Sequence, residues 1–123
     1  MFKFSNRSYD RMKGVDPRLV AVATLALSRS DIDFGVTEGL RTIERQRQLL
    51  AAGASRTLRS KHITGDAIDI VAYVNGKVRW DWPLYERLSV FMLEAAEDLG
   101  VPITWGGHWK SLKDGPHYEL KSG

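Results

Sequence analysis

Two histidines and two aspartates in this chain stand at spacings that suit metal-assisted hydrolysis. His62 and Asp69 close the run Ser60-Lys61-His62-Ile63-Thr64-Gly65-Asp66-Ala67-Ile68-Asp69, and Asp114 opens Asp114-Gly115-Pro116-His117. The chain has only three histidines, and two fall in these short runs. Cysteine is absent, which removes disulfides, thiolate zinc sites and cysteine nucleophiles. Any metal must then be held by nitrogen and oxygen. Two neutral imidazoles and one carboxylate leave a zinc ion net positive, so a bound water is acidified towards about pKa 7 and a carbonyl is polarised. His62, Asp69 and His117 are the expected ligands. Asp114, nearby and unligated, is the expected acceptor of the water's proton. Glu119 is the alternative base, or a carboxylate that supports His117 from behind.

The spacing constrains the backbone. Along a helix, His62 and Asp69 would lie about 10 Å apart, whereas two donors on one metal sit within about 4 Å of each other. A loop that bends at Gly65 and re-enters as a strand brings them together. In that strand Ala67, Asp69 and Val71 share one face and Ile68 and Ile70 the other. Ala67 leaves room beside Asp69, and the isoleucines anchor the core side. Gly115-Pro116 disfavours helix, so Asp114 is expected in a turn before a strand. There His117 and Glu119 share one face and Tyr118 and Leu120 the other.

The remaining elements follow from caps and periodicity. Asp16-Pro17 caps a largely buried helix through Leu27, and Asp33 to Thr37 alternates as a short strand. Thr42 opens a second helix that Gly53 ends. Residues 54–65 read as a polar, basic loop. Ala67 to Val74 is a strand that turns at Asn75-Gly76 and returns through Trp80. Pro83 to Leu99 is a helix with apolar spacing at Leu84, Leu88, Phe91, Met92, Ala95 and Leu99, ending at Gly100. Val101 to Trp105 is a strand, Gly106 to Trp109 a turn or loop, and His117 to Leu120 the last strand. Helices between antiparallel strands make the class α+β, a small antiparallel sheet packed with helices. The 123 residues are expected to form one domain, 1–123.

No run is long and apolar enough to span a membrane. The N-terminus lacks the long apolar stretch of a secretory signal, so the expectation is a cytoplasmic product. The net charge of +3 is uneven: residues 1–61 carry 12 Lys/Arg against 6 Asp/Glu, and residues 62–123 carry 6 against 9. A basic first half suits an anionic polymer such as a cell wall, or equally a solvated surface. No groove-entering motif with clustered base-reading side chains is present, so nucleic acid is not an expected partner.

Ser60-x-His62-x-x-Gly65-x-Ala67-x-Asp69 with a late His117 resembles the zinc peptidases that group D-Ala-D-Ala carboxypeptidases and dipeptidases with phage L-alanyl-D-glutamate endopeptidases. Gly14-Val15-Asp16-Pro17, Gly39-Leu40-Arg41-Thr42, Gly53-Ala54-Ser55, Trp105-Gly106-Gly107 and Pro116-His117-Tyr118-Glu119 look most like the phage endolysin branch. The resemblance covers residues 8 to 120. It implies the small fold shared with the hedgehog signalling domain, Zn2+ on His62, Asp69 and His117, and Asp114 as general base. It also implies cleavage of the peptidoglycan stem at L-Ala–D-Glu by a monomer. Such an enzyme waits in the host cytoplasm until the inner membrane is permeabilised, without inserting into it. Arg41 is expected to stabilise the oxyanion or a substrate carboxylate, and Ser60 to bind substrate or orient His62. His108, which stands where the family commonly carries Asp, is expected at the cleft rim against substrate, with His62–His108–His117 as a rival ligand set. Trp105 and Trp109 suit either the groove or the core. The rival functions are a D,D-carboxypeptidase releasing terminal D-Ala and a non-catalytic zinc-stabilised binding domain.

Overall fold

The computed structural model describes residues 2–55 and 60–121. Within the expected loop 54–65, residues 56–59 lie outside that set. Four helices and five strands follow in the order α1 (Asn6–Arg11), α2 (Pro17–Arg29), β1 (Asp33–Glu38), α3 (Ile43–Ala51), β2 (Ala67–Val74), β3 (Lys77–Arg79), α4 (Trp82–Leu99), β4 (Ile103–Trp105) and β5 (His117–Leu120). The sheet order is β1-β2-β5-β4, with β3 pairing the far end of β2, and every pairing is antiparallel. No described helix is long and apolar enough to cross a membrane.

The expected caps form. The Asp16 carboxylate accepts from Arg18 N at 2.9 Å, and Thr42 Oγ1 accepts from Arg45 N at 3.1 Å. Asn75 and Gly76 both take positive φ, 53° and 76°, as a tight hairpin turn requires. Gly100 closes α4 at φ 68°.

Three details depart from the sequence expectations. Helix α1 was not anticipated, because a six-residue helix burying only Ser8 leaves no apolar period. It is held by polar contacts: Ser8 Oγ accepts from Val36 N at 3.0 Å, and Arg11 donates to Val36 O at 3.1 Å. Strand β4 starts at Ile103 rather than Val101, because Val101 N donates back to Ala96 O at the end of α4 and Pro102 has no N–H to give. Gly106 to His108 takes the turn alternative, as a 3-10 turn. The buried stripe of α4 is Tyr85, Leu88, Ser89, Met92, Ala95 and Ala96, while Leu99 is exposed.

The core lies on one side of the sheet. Leu19, Val22, Ala26, Leu88, Met92 and Ala95 meet Ile68, Ile70, Ala72 and Tyr118. Antiparallel pairing gives β2 and β5 a second face, which carries Asp69, His117 and Glu119. Entry into β2 is fixed at Gly65. Its φ is +78°, its carbonyl accepts from Asp16 N at 2.8 Å, and a Cβ there would lie 2.3 Å from Gly14 O.

Gly65→Ala should therefore lower unfolding stability by about 2–4 kcal/mol, from left-handed strain plus backbone overlap. Denaturant melts of the two proteins would measure it, and equal midpoints would refute the assignment of Gly65 as an obligatory bend.

Candidate metal centre

Asp69 and His117 face each other across the β2–β5 ladder, and His62 reaches the same point from the loop before β2. His62 Nε2 lies 3.3 Å from Asp69 Oδ1, and His117 Nδ1 lies 3.1 Å from the same oxygen. All three donor atoms lie within 4.8 Å of one another. Ligands about 2.0–2.1 Å from a tetrahedral zinc are spaced at roughly 3.3 Å, so the cluster has the right dimensions for such an ion.

The remaining nitrogen of each ring is anchored. His62 Nδ1 is 2.8 Å from the Gly39 carbonyl, which only accepts, so Nδ1 carries the proton. His117 Nε2 is 2.8 Å from Glu119 Oε1 and donates to it. In the neutral rings, the two lone pairs that remain both face Asp69 Oδ1. Lone pairs against a carboxylate repel unless a cation or proton lies among them, and this donor chemistry is what fits the trio to a metal ion. His62, Asp69 and His117 could bind one.

The supports are themselves constrained. Gly39 tolerates no side chain, because a Cβ there would sit 2.1 Å from Arg11 O. Lys61 Nζ pairs with Glu119 Oε2 at 3.2 Å and donates to Leu120 O, fixing the carboxylate that fixes His117.

Burial works against the Asp69 carboxylate, but the His117 and His62 imidazoles beside it, which donate to it when protonated, outweigh burial and hold it well below the usual range. Burial likewise opposes a charged His117, yet Asp69 and Glu119 push that imidazole up to about 9. Glu119 is lowered, first by its hydrogen bond to His117. Asp114 goes the other way. Burial first and the Asp69 charge second raise its carboxyl above the ordinary value, against the partial offset of His117, His62 and Arg41.

These side chains line an open cleft of about 890 Å³ together with Asp114, Glu38, Arg41, Ser60 and Trp109. Asp114 is placed by its own backbone: its N–H donates to Gly106 O at 3.0 Å, and its carbonyl accepts from His117 N at 3.2 Å. Arg41 is a clamped cation. Glu38 holds it through Nε at 2.6 Å and Nη2 at 2.7 Å, and Gln46 Oε1 takes Nη1 at 2.6 Å. Ser60 Oγ accepts from His62 N at 3.2 Å and lies 3.5 Å from Arg41 Nη1, so it shapes the turn that carries His62.

His108 is not brought to this cluster. It is exposed on the 3-10 turn with its ring against Trp105, centroids 4.8 Å apart. Among the described residues, the metal-competent group is His62, Asp69 and His117, so the set His62–His108–His117 is not assembled. Trp105 takes the core reading, buried with Nε1 donating to Gly115 O at 2.7 Å. Trp109 takes the groove reading, its ring 5.1 Å from His117. Sequence reasoning missed Glu38, Gly39, Gln46 and Lys61. The one available signal was Glu38, three residues before Arg41.

Residues 1–121 match the family described as phage L-alanyl-D-glutamate peptidase. The L-alanyl-D-glutamate peptidase of Escherichia phage T5 is 37% identical, across 99% of this chain and 91% of that protein. The peptidoglycan L-alanyl-D-glutamate endopeptidase CwlK of Bacillus subtilis is 31% identical, across 77% of this chain and 65% of CwlK. The crystal structure of the L-Ala D-Glu endopeptidase ChiX of Serratia marcescens aligns with a TM-score of 0.93 at 48% identity, across 98% of this chain and 90% of that one.

In the metal-free protein, His117 contributes stability that is complete below its unfolded value near 6.5 and is lost as pH rises through about 9. The metal-free protein should therefore lose stability between those values. A cation that takes the place of the His117 proton should release about one proton at pH 7.5, and its affinity should rise with pH over the same window. Calorimetric titration with Zn2+ in buffers of different ionisation enthalpy measures this, and a heat independent of buffer would contradict it.

Proposed function

The chain belongs to the phage L-alanyl-D-glutamate peptidase family, and from that membership we propose that it is a zinc-dependent endopeptidase cutting the L-Ala–D-Glu bond of the peptidoglycan stem. The observation that carries the proposal is the convergence of His62, Asp69 and His117 on one point, with Asp114 in the same cleft. Zn2+ on that trio would acidify a water towards pKa about 7 and polarise the scissile carbonyl.

The protein's own groups divide the remaining work. Asp114 accepts the proton of the attacking water and returns it to the departing D-Glu amine. Its raised affinity for a proton, caused by burial and by Asp69, suits a group that must hold one between the two steps. Glu119 keeps His117 in the tautomer that presents Nδ1, and Lys61 keeps Glu119 in place. Arg41, largely neutralised by Glu38, acts as a fixed donor in the cleft wall beside Ser60 rather than as a free cation. Trp109 closes the wall over His117. We further propose that residues 1–123 act as one catalytic domain and as a monomer. It would stay in the host cytoplasm until the inner membrane is opened and then meet the wall.

Digestion of purified sacculi should yield fragments cut between L-Ala and D-Glu, with a new D-Glu amino terminus in the mass spectrum, and a chelator should stop their appearance. Free D-Ala with uncut stems would establish a D,D-carboxypeptidase instead. Asp114→Asn should keep its zinc stoichiometry and lose roughly 10²–10⁴-fold in kcat. Zinc-loaded variant protein that cleared sacculi at the parent rate would remove Asp114 from the role of base, whereas a zinc-loaded parent that left sacculi uncut would establish the non-catalytic alternative.

A further inference from the structure

We propose that the exposed indoles of Trp80 and Trp82, flanked by Arg79 and Asp81, form a platform for the glycan strand of peptidoglycan beside the cleft. The inference rests on reading the cleft as the stem-peptide site.

Trp80 is 63% exposed and Trp82 is 41% exposed, among the largest apolar side chains on the surface. Neither is loosely held. Trp80 stacks on the buried ring of Tyr85, centroids 6.1 Å apart and planes within 6°. Trp82 stacks on the buried ring of Trp105, at 5.7 Å and 23°. Each indole is therefore fixed from one side and keeps open surface on the other. Rigid, fixed aromatic area binds with little loss of side-chain entropy, and clustered exposed aromatics mark an interaction surface. The C–H face of a pyranose stacks on such an indole, and a polymer of sugars can meet two of them together.

The polar groups around the platform select the occupant. Arg79 and Asp81 pair with each other at 3.1 Å and 2.5 Å, both half-exposed. They present planar donors and acceptors with no net charge. That suits the hydroxyl and acetamido groups of a neutral glycan better than an anionic surface.

The platform also adjoins the cleft. A Cβ on Gly115 would lie 3.2 Å from both Trp82 Cζ3 and Tyr85 Cβ, and the Gly115 carbonyl accepts from Trp105 Nε1. The residue before Gly115 is Asp114, which lines the cleft. One residue thus separates the aromatic surface from the proposed base. The substrate has a matching shape: L-Ala is joined to the lactyl group of muramic acid, so the L-Ala–D-Glu bond is one residue from a sugar. An enzyme that cuts there carries the strand within one extended residue, about 3.5 Å, and a lactyl group of its catalytic groups.

The test uses glycan strands stripped of stem peptides by an amidase, their freed lactyl carboxylates capped as methyl amides so that the strands are neutral, and binding by the zinc-loaded protein is read without cleavage. The parent should bind the strands with a change in tryptophan fluorescence. Trp80→Ala, with an unchanged thermal melt, should bind roughly fivefold or more weakly, the scale of one aromatic contact. Val90→Ala, on the exposed side of α4, should bind like the parent. Equal binding by Trp80→Ala, or no binding by the parent, overturns the platform. So does a Trp80→Ala defect confined to self-association or to anionic phospholipid vesicles. The two readings fail separately: a parent that cuts sacculi at L-Ala–D-Glu yet ignores stripped strands loses only the platform. A parent that binds the strands and makes no such cut loses the stem-peptide reading.

Discussion

A single carboxylate oxygen, Asp69 Oδ1, faces two imidazole nitrogens, and much of the molecule serves to keep that unfavourable arrangement in place. Without a positive charge between them, the lone pairs repel the oxygen, and the buried setting magnifies the repulsion. A proton on His117 satisfies the metal-free protein, and a cation would satisfy the loaded one. The fold supplies the opposing force through groups that cannot easily move. The ladder sets Asp69 opposite His117, the Gly39 carbonyl holds His62, and Glu119 holds His117.

Those supports explain residues that do no chemistry. Gly39 can bring its carbonyl to His62 only because it has no Cβ to strike Arg11 O. Gly65 can bend the chain into β2 only because it accepts positive φ against Gly14. Lys61 binds Glu119 and the Leu120 carbonyl, so loop and strand β5 are tied beside the ligands they carry. The short helix α1 belongs to the same scaffold. Ser8 and Arg11 bind the Val36 backbone, and Arg11's own carbonyl defines the space at Gly39. The cost of gathering like-facing donors is met by rigid backbone rather than by the donors themselves.

The sequence shows this arrangement unevenly. The approach of His62 to Asp69 was legible because their spacing rules out a helix and suits a bend at Gly65 feeding an alternating strand. Helices α2, α3 and α4 were legible through caps and apolar period. Helix α1 was not, since its anchoring is polar and long-range. The state of Arg41 was hidden as well. Its type suggested a free cation for an anionic substrate group, and only the fold shows Glu38 and Gln46 already occupying it. Trp105 and Trp109 illustrate the same limit. Four residues apart and equal in type, they divide between core and cleft because the 3-10 turn at Gly106 rotates the chain between them.

The division between catalyst and selector follows from these placements. A cation held by His62, Asp69 and His117 would polarise any carbonyl brought to it, so the proposed centre would not by itself distinguish one amide of the stem from another. Discrimination must come from walls that meet the substrate on either side of the scissile bond. One wall is built on Arg41, Ser60 and the Glu38 pair; the other on Trp109 and the turn that places Asp114. The second wall leads through Gly115 to Trp82. A bond that is unusual for its nearness to a sugar is best selected by a surface that recognises the sugar, and the proposed aromatic surface adjoins Asp114 rather than the His62–Asp69–His117 trio.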